Sequence, residues 1–147
     1  GKIRRFVSTK SKQKPDRNGT LRPEETKLEL LLVEDNPQMR NMLRDMLSDL
    51  PVSILLAENA ENAIVQADLN HPELVLMDIL LPERDGIELA TLFLSEGWSQ
   101  HVFMVTECRE TRFRNAAREA GAERYFLKDN LLEVRSAVVD FLQHNGS

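Results

Sequence analysis

The chain has few of the residues and motifs that define several large classes of protein. A single cysteine, Cys108, excludes a disulfide framework and a cysteine-rich zinc site. No apolar run approaches the ~18 residues that a membrane span needs, and the first residues lack the apolar core of a secretory signal. Neither a G-x-x-x-x-G-K-S/T nor a G-x-G-x-x-G motif occurs, which excludes the common nucleotide-binding loops. We therefore expect a soluble protein of the reducing cytoplasm.

Positive charge is scarce over most of the chain because it is concentrated near the start. Residues 1–27 carry nine Lys and Arg against three Asp and Glu, a net charge of +6, which leaves −11 for residues 28–147 out of a total of −5. The basic segment is poor in apolar residues, which predicts a flexible tail or linker, or the end of an upstream domain. The rest has the length of one domain with one core. Its acidity argues against nucleic acid as the main partner.

From residue 28 onward, apolar runs of strand length alternate with stretches of helical period. The predicted strands are LELLLV (28–33), VSILLAE (52–58), LVLM (74–77), VFMV (102–105) and RYFL (124–127). The first predicted helix has Asn36 as its N-cap and Pro37 in its first turn, and we expect its methionines to fill the core. The further predicted helices cover residues 60–67, 87–95, 113–120 and 131–142. This alternation predicts an α/β fold with a parallel sheet.

Polar residues follow the ends of four predicted strands. They are Glu34 and Asp35 after the first, Asp78 after the third, Thr106 after the fourth and Lys128 after the fifth. The carboxyl ends of parallel strands share one edge, and open α/β sheets bind ligands where the strand order reverses. If the order is 2-1-3-4-5, that reversal places Glu34 and Asp35 opposite Asp78.

Three carboxylates at one edge require a cation, because like charges that close oppose full ionisation. Lys128 can supply one positive charge. Mg²⁺ suits the remainder, since it takes oxygen ligands from a few carboxylates, keeps several waters and bridges to phosphoryl groups. We expect Glu34, Asp35, Asp78 and the backbone carbonyl of Leu80 to hold this metal.

The same edge suits attack by a carboxylate on phosphorus. Asp78 is predicted to be the nucleophile and to become an aspartyl phosphate, while Lys128 and the hydroxyl of Thr106 contact phosphoryl oxygens. Taken singly, these residues have simpler interpretations, such as a capping hydroxyl for Thr106 or a solvated surface position for Lys128. Their combination at one edge favours the phosphoryl-transfer site.

The motifs LLLVEDN, LVLMDILLPERDG, FMVT and AGAERYFLK, in this order, resemble those of the response regulator receiver domain of two-component signalling, of the chemotaxis-regulator type. The resemblance covers about residues 28–144. It implies a flavodoxin-like, doubly wound sheet of five parallel strands in the order 2-1-3-4-5, with helices on both faces and a bound Mg²⁺. It also implies phosphoryl transfer to Asp78 from a phosphohistidine on a sensor histidine kinase or histidine phosphotransfer protein.

The resemblance further implies a switch. Thr106 and the aromatic Tyr125 are expected to shift on phosphorylation, so that the face formed by the fourth helix, fifth strand and fifth helix changes its contacts with a downstream protein target. The same face could join two copies in a homodimer.

Two residues depart from the family pattern. Asp129 follows the lysine where the family usually has a proline in a cis bond, and a cis bond before a non-proline residue costs ~2.5–4 kcal/mol. We therefore expect a trans bond, with Asp129 or Asn130 capping the last helix. Glu107 follows the switch threonine in place of a small residue, and we expect it to narrow the mouth of the site and repel an anionic phosphoryl donor.

Two other functions fit parts of the pattern. A haloacid-dehalogenase-like hydrolase also has an aspartate nucleophile at a strand end, but it needs a second aspartate where this chain has Leu80. A receiver-like interaction module that is never phosphorylated would explain Glu107 and Asp129, although the presence of all the polar site residues argues against it. The leading prediction is a signalling receiver with only self-catalysed phosphorylation and dephosphorylation, not a metabolic enzyme. It is expected to stand alone or to end a larger protein.

Overall fold

A computed structural model of the protein describes residues 27–145. The predicted tail or linker up to residue 27 lies almost wholly outside the described residues. In chain order the described elements are β1 Leu28–Val33, α1 Pro37–Leu47, β2 Val52–Ala57, α2 Ala60–Asn70, β3 Leu74–Met77, β4 Leu80–Leu81, β5 Arg84–Asp85, α3 Gly86–Ser95, β6 Val102–Thr106, α4 Thr111–Glu119, β7 Arg124–Leu127 and α5 Leu131–Asn145. No helix in this part of the chain is both long and apolar enough to cross a membrane.

Five strands form one parallel sheet in the order β2-β1-β3-β6-β7. This order equals the predicted 2-1-3-4-5, because β4 and β5 form a separate two-stranded hairpin. The strand order reverses between β1 and β3, because β2 lies on one side of β1 and β3 lies on the other. The predicted flavodoxin-like fold is therefore confirmed, and the reversal lies where a ligand site is expected.

The central strands are apolar throughout because helices cover both faces of the sheet. In β1, Leu31 and Val33 belong to the core cluster beneath α2, α3 and α4, whereas Leu30 and Leu32 belong to the cluster beneath α1 and α5. Successive side chains of a strand point to opposite faces, so a strand between two helical layers needs apolar residues at every position. Packing on both faces of the sheet holds β1 and β3 in place, and with them the positions at which the two strands end.

Short polar side chains begin three of the helices. The side chain of Asn36 accepts a hydrogen bond of 2.9 Å from the backbone N–H of Met39, with Pro37 in the first turn of α1, as the sequence predicts. Asn59 caps α2 and Asp85 caps α3 in the same way. These caps start each helix within a few residues of the strand before it.

The structure corrects three details of the sequence analysis. The hairpin of β4 and β5 was not predicted. The strand β2 ends at Ala57, one residue early, while α3 and α4 begin one and two residues before their predicted starts. The methionines of α1 do not all fill the core, since Met42 is 53% exposed. Leu43 and Leu47 occupy the centre of the buried face of α1, which leaves Met42 at its rim.

Candidate functional site

The candidate site lies where β1 and β3 end side by side. The backbone N–H of Glu34 donates to the carbonyl of Ala57 (3.0 Å), which extends the pairing of β1 and β2 by one residue. The N–H of Asp78 donates to the carbonyl of Val33 (3.2 Å), which extends the pairing of β3 and β1 in the same way. The sheet itself therefore holds Glu34 and Asp78 next to each other.

Three carboxylates converge at this edge. Glu34, Asp35 and Asp78 each offer an oxygen within 4.8 Å of the others. Glu34 is 1% exposed and Asp78 is 3% exposed, whereas Asp35 is open to solvent. Backbone N–H groups stabilise the two buried carboxylates, from Asn36 to Glu34 Oε2 at 3.0 Å and from Leu80 to Asp78 Oδ1 at 3.2 Å.

Lys128 forms ion pairs with both buried carboxylates and supplies one positive charge between them. Its Nζ lies 2.6 Å from Asp78 Oδ2 and 2.8 Å from Glu34 Oε1, and its side chain is only 10% exposed. Burial raises the pKa of Glu34, although its hydrogen bonds to Lys128 and to the N–H of Asn36 oppose this. For Lys128, burial opposes the charged form, but the hydrogen bonds to Asp78 and Glu34 outweigh it and raise the pKa. The ammonium group therefore stays charged between the carboxylates at neutral pH.

The loop after β7 reaches this position without a cis peptide bond. No cis bond occurs in residues 27–145, as expected from Asp129 in place of proline. The N–H of Lys128 donates to the carbonyl of Thr106 (2.9 Å), which continues the pairing of β7 and β6 up to the lysine. Asp129, one of the two residues predicted to cap α5, has its carboxylate against the guanidinium of Arg109.

Thr106 is buried and does not line the pocket that opens onto the carboxylates. Its side chain is fully buried at the end of β6, and its Oγ accepts a long hydrogen bond of 3.4 Å from the N–H of Cys108. The carbonyl of Cys108 in turn accepts a hydrogen bond of 2.7 Å from the hydroxyl of Tyr125. Burial raises the pKa of Tyr125 to about 12, so this hydroxyl remains a donor. Cys108 thus links the two predicted switch residues.

An open pocket of about 430 Å³ gives access to the carboxylates. The lining residues are Glu34, Asp35, Asn36, Gln38, Met39, Met42, Asp78, Leu80, Glu107 and Lys128. The set contains the predicted metal and lysine positions and excludes Thr106 and Tyr125. Glu107 is exposed and lines this pocket; that it narrows the mouth and repels an anionic donor stays a prediction.

Gly86 is a residue of the site that the sequence analysis missed. A Cβ at this position would lie 1.9 Å from the carbonyl oxygen of Asp78. The N–H of Gly86 donates to the carbonyl of Ile79 (2.7 Å), which closes the hairpin of β4 and β5 against the end of β3. An Asp-Gly pair such as that at residues 85 and 86 is typical of a turn, but only the fold shows that Gly86 packs against Asp78.

The donor set suits a hard divalent cation. The three carboxylates supply oxygen atoms only, and His71 and His101 lie at the opposite ends of the strands, before β3 and β6. Oxygen ligands from a few carboxylates, with room for water, are what Mg²⁺ prefers. The residues present therefore fit the expected Mg²⁺ better than they fit zinc.

An open parallel sheet with a carboxylate cluster and a lysine at the reversal of its strand order defines a flavodoxin-like α/β domain with a cluster that could hold a metal ion. The chain belongs to the response regulator receiver domain family, whose family model matches residues 30–139. The resemblance of the four motifs is thereby confirmed.

Individual relatives agree with this assignment. The chain is 34% identical over 103 residues to the chemotaxis protein CheY of Halobacterium salinarum, a match covering 68% of this chain and 83% of that protein. It is 31% identical over 104 residues to the response regulator MprA of a Mycobacterium species, covering 71% of this chain and 45% of MprA. The crystal structure of a two-component response regulator from Clostridium difficile superposes with a TM-score of 0.74 at 23% identity, covering 81% of this chain and 98% of that one. This last likeness supports the fold alone.

Family membership establishes the class of function. The domain belongs to the two-component signalling family rather than to a classical enzyme family, and receiver domains of this family interact with histidine kinases and downstream effectors.

Proposed function

We propose that this domain accepts a phosphoryl group on Asp78 from a phosphohistidine of a histidine kinase or histidine phosphotransfer protein. The observation that carries the proposal is the contact of Lys128 Nζ with two buried carboxylates, Glu34 and Asp78, beside the exposed Asp35. A buried carboxylate that opens onto a pocket and is neutralised by a lysine is poised for attack on an anionic phosphoryl donor.

Glu34, Asp35, Asp78 and the backbone carbonyl of Leu80 would hold Mg²⁺, which when bound supplies positive charge to the phosphoryl oxygens. Lys128 supplies a second positive charge from within the protein. In the transfer, a carboxylate oxygen of Asp78 forms a bond to phosphorus as the bond from phosphorus to the imidazole nitrogen of the donor breaks. The electron pair of that bond stays on the imidazole nitrogen, and a proton from solvent at this nitrogen restores the neutral imidazole of the donor histidine.

The contacts of Thr106 support the proposed switch. Its hydroxyl can donate to a phosphoryl oxygen on Asp78, which would draw the side chain toward the site and disturb its contact with the N–H of Cys108. Because the carbonyl of Cys108 accepts from Tyr125, this movement reaches the face formed by α4, β7 and α5. A charge added at one site thereby biases two arrangements of a distant surface.

Intact mass spectrometry tests the proposal directly. After incubation with Mg²⁺ and acetyl phosphate, the protein is expected to gain one phosphoryl group, and Asp78→Asn is expected to gain none. Chelation of the metal should also prevent the gain, whereas Asp45→Asn, an exposed aspartate of α1, should leave it unchanged.

Glu107, an exposed carboxylate in the lining of the pocket, favours the alternative of an interaction module that is not phosphorylated. A phosphohistidine donor is therefore used beside acetyl phosphate. If the wild-type protein gains no phosphoryl group from either donor, the alternative replaces the proposal.

A second prediction concerns the effect of Glu107 on the small-molecule donor. Glu107→Gln is expected to accelerate uptake from acetyl phosphate about three- to tenfold at low salt, because the exposed carboxylate repels the anionic donor. The rates are measured at two salt concentrations, since screening should shrink the difference at high salt. Glu119→Gln, on the exposed side of α4, is the control. Equal rates for wild type and Glu107→Gln at low salt would contradict the electrostatic explanation.

A further inference from the structure

A second cavity, of about 260 Å³, lies between α4 and β7 on the face that adjoins Tyr125. Three arginines surround it, Arg114 and Arg118 from α4 and Arg124 from β7. Part of its floor is the small side chain of Ala117, which is 1% exposed. We call this cavity, with its three arginines, the basic cleft.

The basic cleft is unusual in an acidic body. Residues 28–147 carry a net charge of −11 and contain ten Lys and Arg, of which five lie between residues 109 and 124. Half of the positive charge of the body thus lies in the short segment that forms the cleft and its surroundings.

The arginines of the basic cleft are not neutralised by carboxylates of the described residues. Arg118 donates to the side-chain oxygen of Asn115 (3.1 Å), and the guanidinium of Arg124 lies 5.2 Å from the centre of the Phe126 ring. Glu123 is the acidic residue that lines the cleft, and its carboxylate lies 2.5 Å from Nδ1 of His101. The cleft therefore presents exposed positive charge to a ligand.

Arg114 joins the basic cleft to the predicted switch. Its guanidinium lies 4.6 Å from the centre of the Tyr125 ring, a cation–π contact. The hydroxyl of Tyr125 donates to the carbonyl of Cys108, whose N–H contacts Thr106. A ligand that moves Arg114 away from the Tyr125 ring would therefore alter the contacts that connect Tyr125 to Thr106.

We propose that the basic cleft is the docking site for an acidic segment of a partner protein, with two or more carboxylates spaced to reach Arg114, Arg118 and Arg124. The proposal names the chemistry of the downstream partner and so rests on the proposed function. Guanidinium groups bind carboxylates in bidentate pairs, and the small Ala117 leaves room for an apolar side chain between them.

Three other possible occupants of the basic cleft are disfavoured by charge. The segment 1–27 has a net charge of +6 and would be repelled by the arginines. A second copy would bring together two bodies of −11, which repel each other at long range. Nucleic acid would meet the same acidic body around a small basic patch, so its phosphates are disfavoured beyond the cleft.

The test measures binding of a fluorescein-labelled peptide of eight residues, glutamates with one central leucine, to the unphosphorylated full chain by fluorescence anisotropy. The double variant Arg118→Gln/Arg124→Gln is expected to weaken binding about tenfold or more. The matched variant Arg44→Gln/Arg84→Gln removes the same charge elsewhere and is expected to change binding less than about twofold. A peptide with glutamine in place of glutamate should not bind.

Four outcomes overturn the proposal. They are no saturable binding of the acidic peptide, equal losses in the two double variants, tighter binding of a DNA duplex than of the peptide, and a dimer in sedimentation velocity that Arg118→Gln/Arg124→Gln dissociates. Phosphoryl uptake by the same samples separates this proposal from the proposed function. Normal uptake without peptide binding overturns only the basic cleft, and peptide binding without uptake overturns only the phosphoryl acceptor.

Discussion

Gly86→Ala is expected to lower the free energy of unfolding by about 3 kcal/mol or more and to slow phosphoryl uptake by Asp78. The added Cβ would lie 1.9 Å from the carbonyl oxygen of Asp78 and 2.8 Å from Cα of Ile79. These atoms belong to the backbone, so no side-chain rotation can relieve the overlap. Either the start of α3 or the end of β3 must move.

Glycine-to-alanine changes in helices often stabilise proteins, so the expected loss of stability in Gly86→Ala must exceed such a gain. Gly86 is the first residue of α3, and an alanine would reduce the entropy of the unfolded chain by about 0.4–1 kcal/mol. Overpacking of a closed site costs about 1–3 kcal/mol and more where backbone is involved, so the steric cost exceeds the entropic gain. The carboxylate of Asp78 also moves relative to Lys128.

Thermal unfolding and the uptake assay measure the two consequences. A cost of this size corresponds to a fall in Tm of roughly 10 °C or more for a domain of this length. Gly97→Ala is the control, since Gly97 has a left-handed φ of +73° but a Cβ there meets nothing within 4 Å. It should cost about 1–2 kcal/mol through backbone strain and leave the uptake rate unchanged. Uptake by Gly86→Ala at the wild-type rate, measured below its Tm, would show that Asp78 is not positioned by this contact.

The fold was predictable because its signals are local and repeated. Five apolar runs of strand length alternate with helical periods, and Asn36 and Pro37 mark a helix start within a few residues of β1. Once the sheet is parallel, its carboxyl edge follows from topology. This is why Glu34, Asp78 and Lys128, which are 94 residues apart from first to last, could be expected at one edge from the ends of their strands.

The remaining features depend on packing between distant segments. The strands β4 and β5 have two residues each, which is too few to show an alternating pattern of apolar residues. Their hairpin, and with it the contact of Gly86 with Asp78, could therefore not be predicted from that pattern. The sequence also did not show how deeply each polar side chain is buried at this edge of the sheet. Thr106 ends a strand as Asp78 follows one, yet its side chain is fully buried and does not line the pocket.

The grouping of arginines in the basic cleft also could not be predicted from the sequence. Its arginines stand out in the sequence only as part of a segment that also contains acidic residues. The packing of α4 against β7 brings Arg114 and Arg118 together with Arg124, and the contact of Glu123 with His101 occupies the neighbouring carboxylate. Net charge over a segment therefore does not predict where exposed charge remains unpaired.

Lys128→Met is expected to have opposite effects on phosphoryl uptake and on stabilisation by Mg²⁺. Without the ammonium group, the buried carboxylates of Glu34 and Asp78 face each other with no cation from the protein. Removing one partner from a buried charge pair costs about 3–5 kcal/mol, so the metal-free variant should unfold at a much lower denaturant concentration. Uptake at Asp78 should fall about 100-fold or more, because a fixed positive charge no longer stabilises the phosphoryl oxygens.

The dependence on pH identifies the unpaired carboxylates as the cause. Burial already raises the pKa of Glu34 above its usual 4.5, and loss of Lys128 raises it further. A carboxyl group whose pKa is raised by folding binds more protons in the folded state than in the unfolded state. Its destabilising effect is therefore absent below about pH 4.5 and complete once the pH exceeds the raised value. The difference in unfolding free energy between wild type and variant should shrink as the pH falls.

Mg²⁺ then separates a lost cation from a damaged fold. In the wild-type protein the metal must share the carboxylates with Lys128, whereas in Lys128→Met it meets no competing charge. Mg²⁺ should therefore raise the Tm of the variant more than that of the wild type, because a ligand that binds the folded state more tightly stabilises it more. Arg44→Met, which removes an exposed charge on α1, should change neither the response to Mg²⁺ nor uptake. A variant that is destabilised equally at every pH and gains nothing from Mg²⁺ would mean that Lys128 supports the fold by packing, and its contact with the two carboxylates would no longer argue for a phosphoryl-acceptor site.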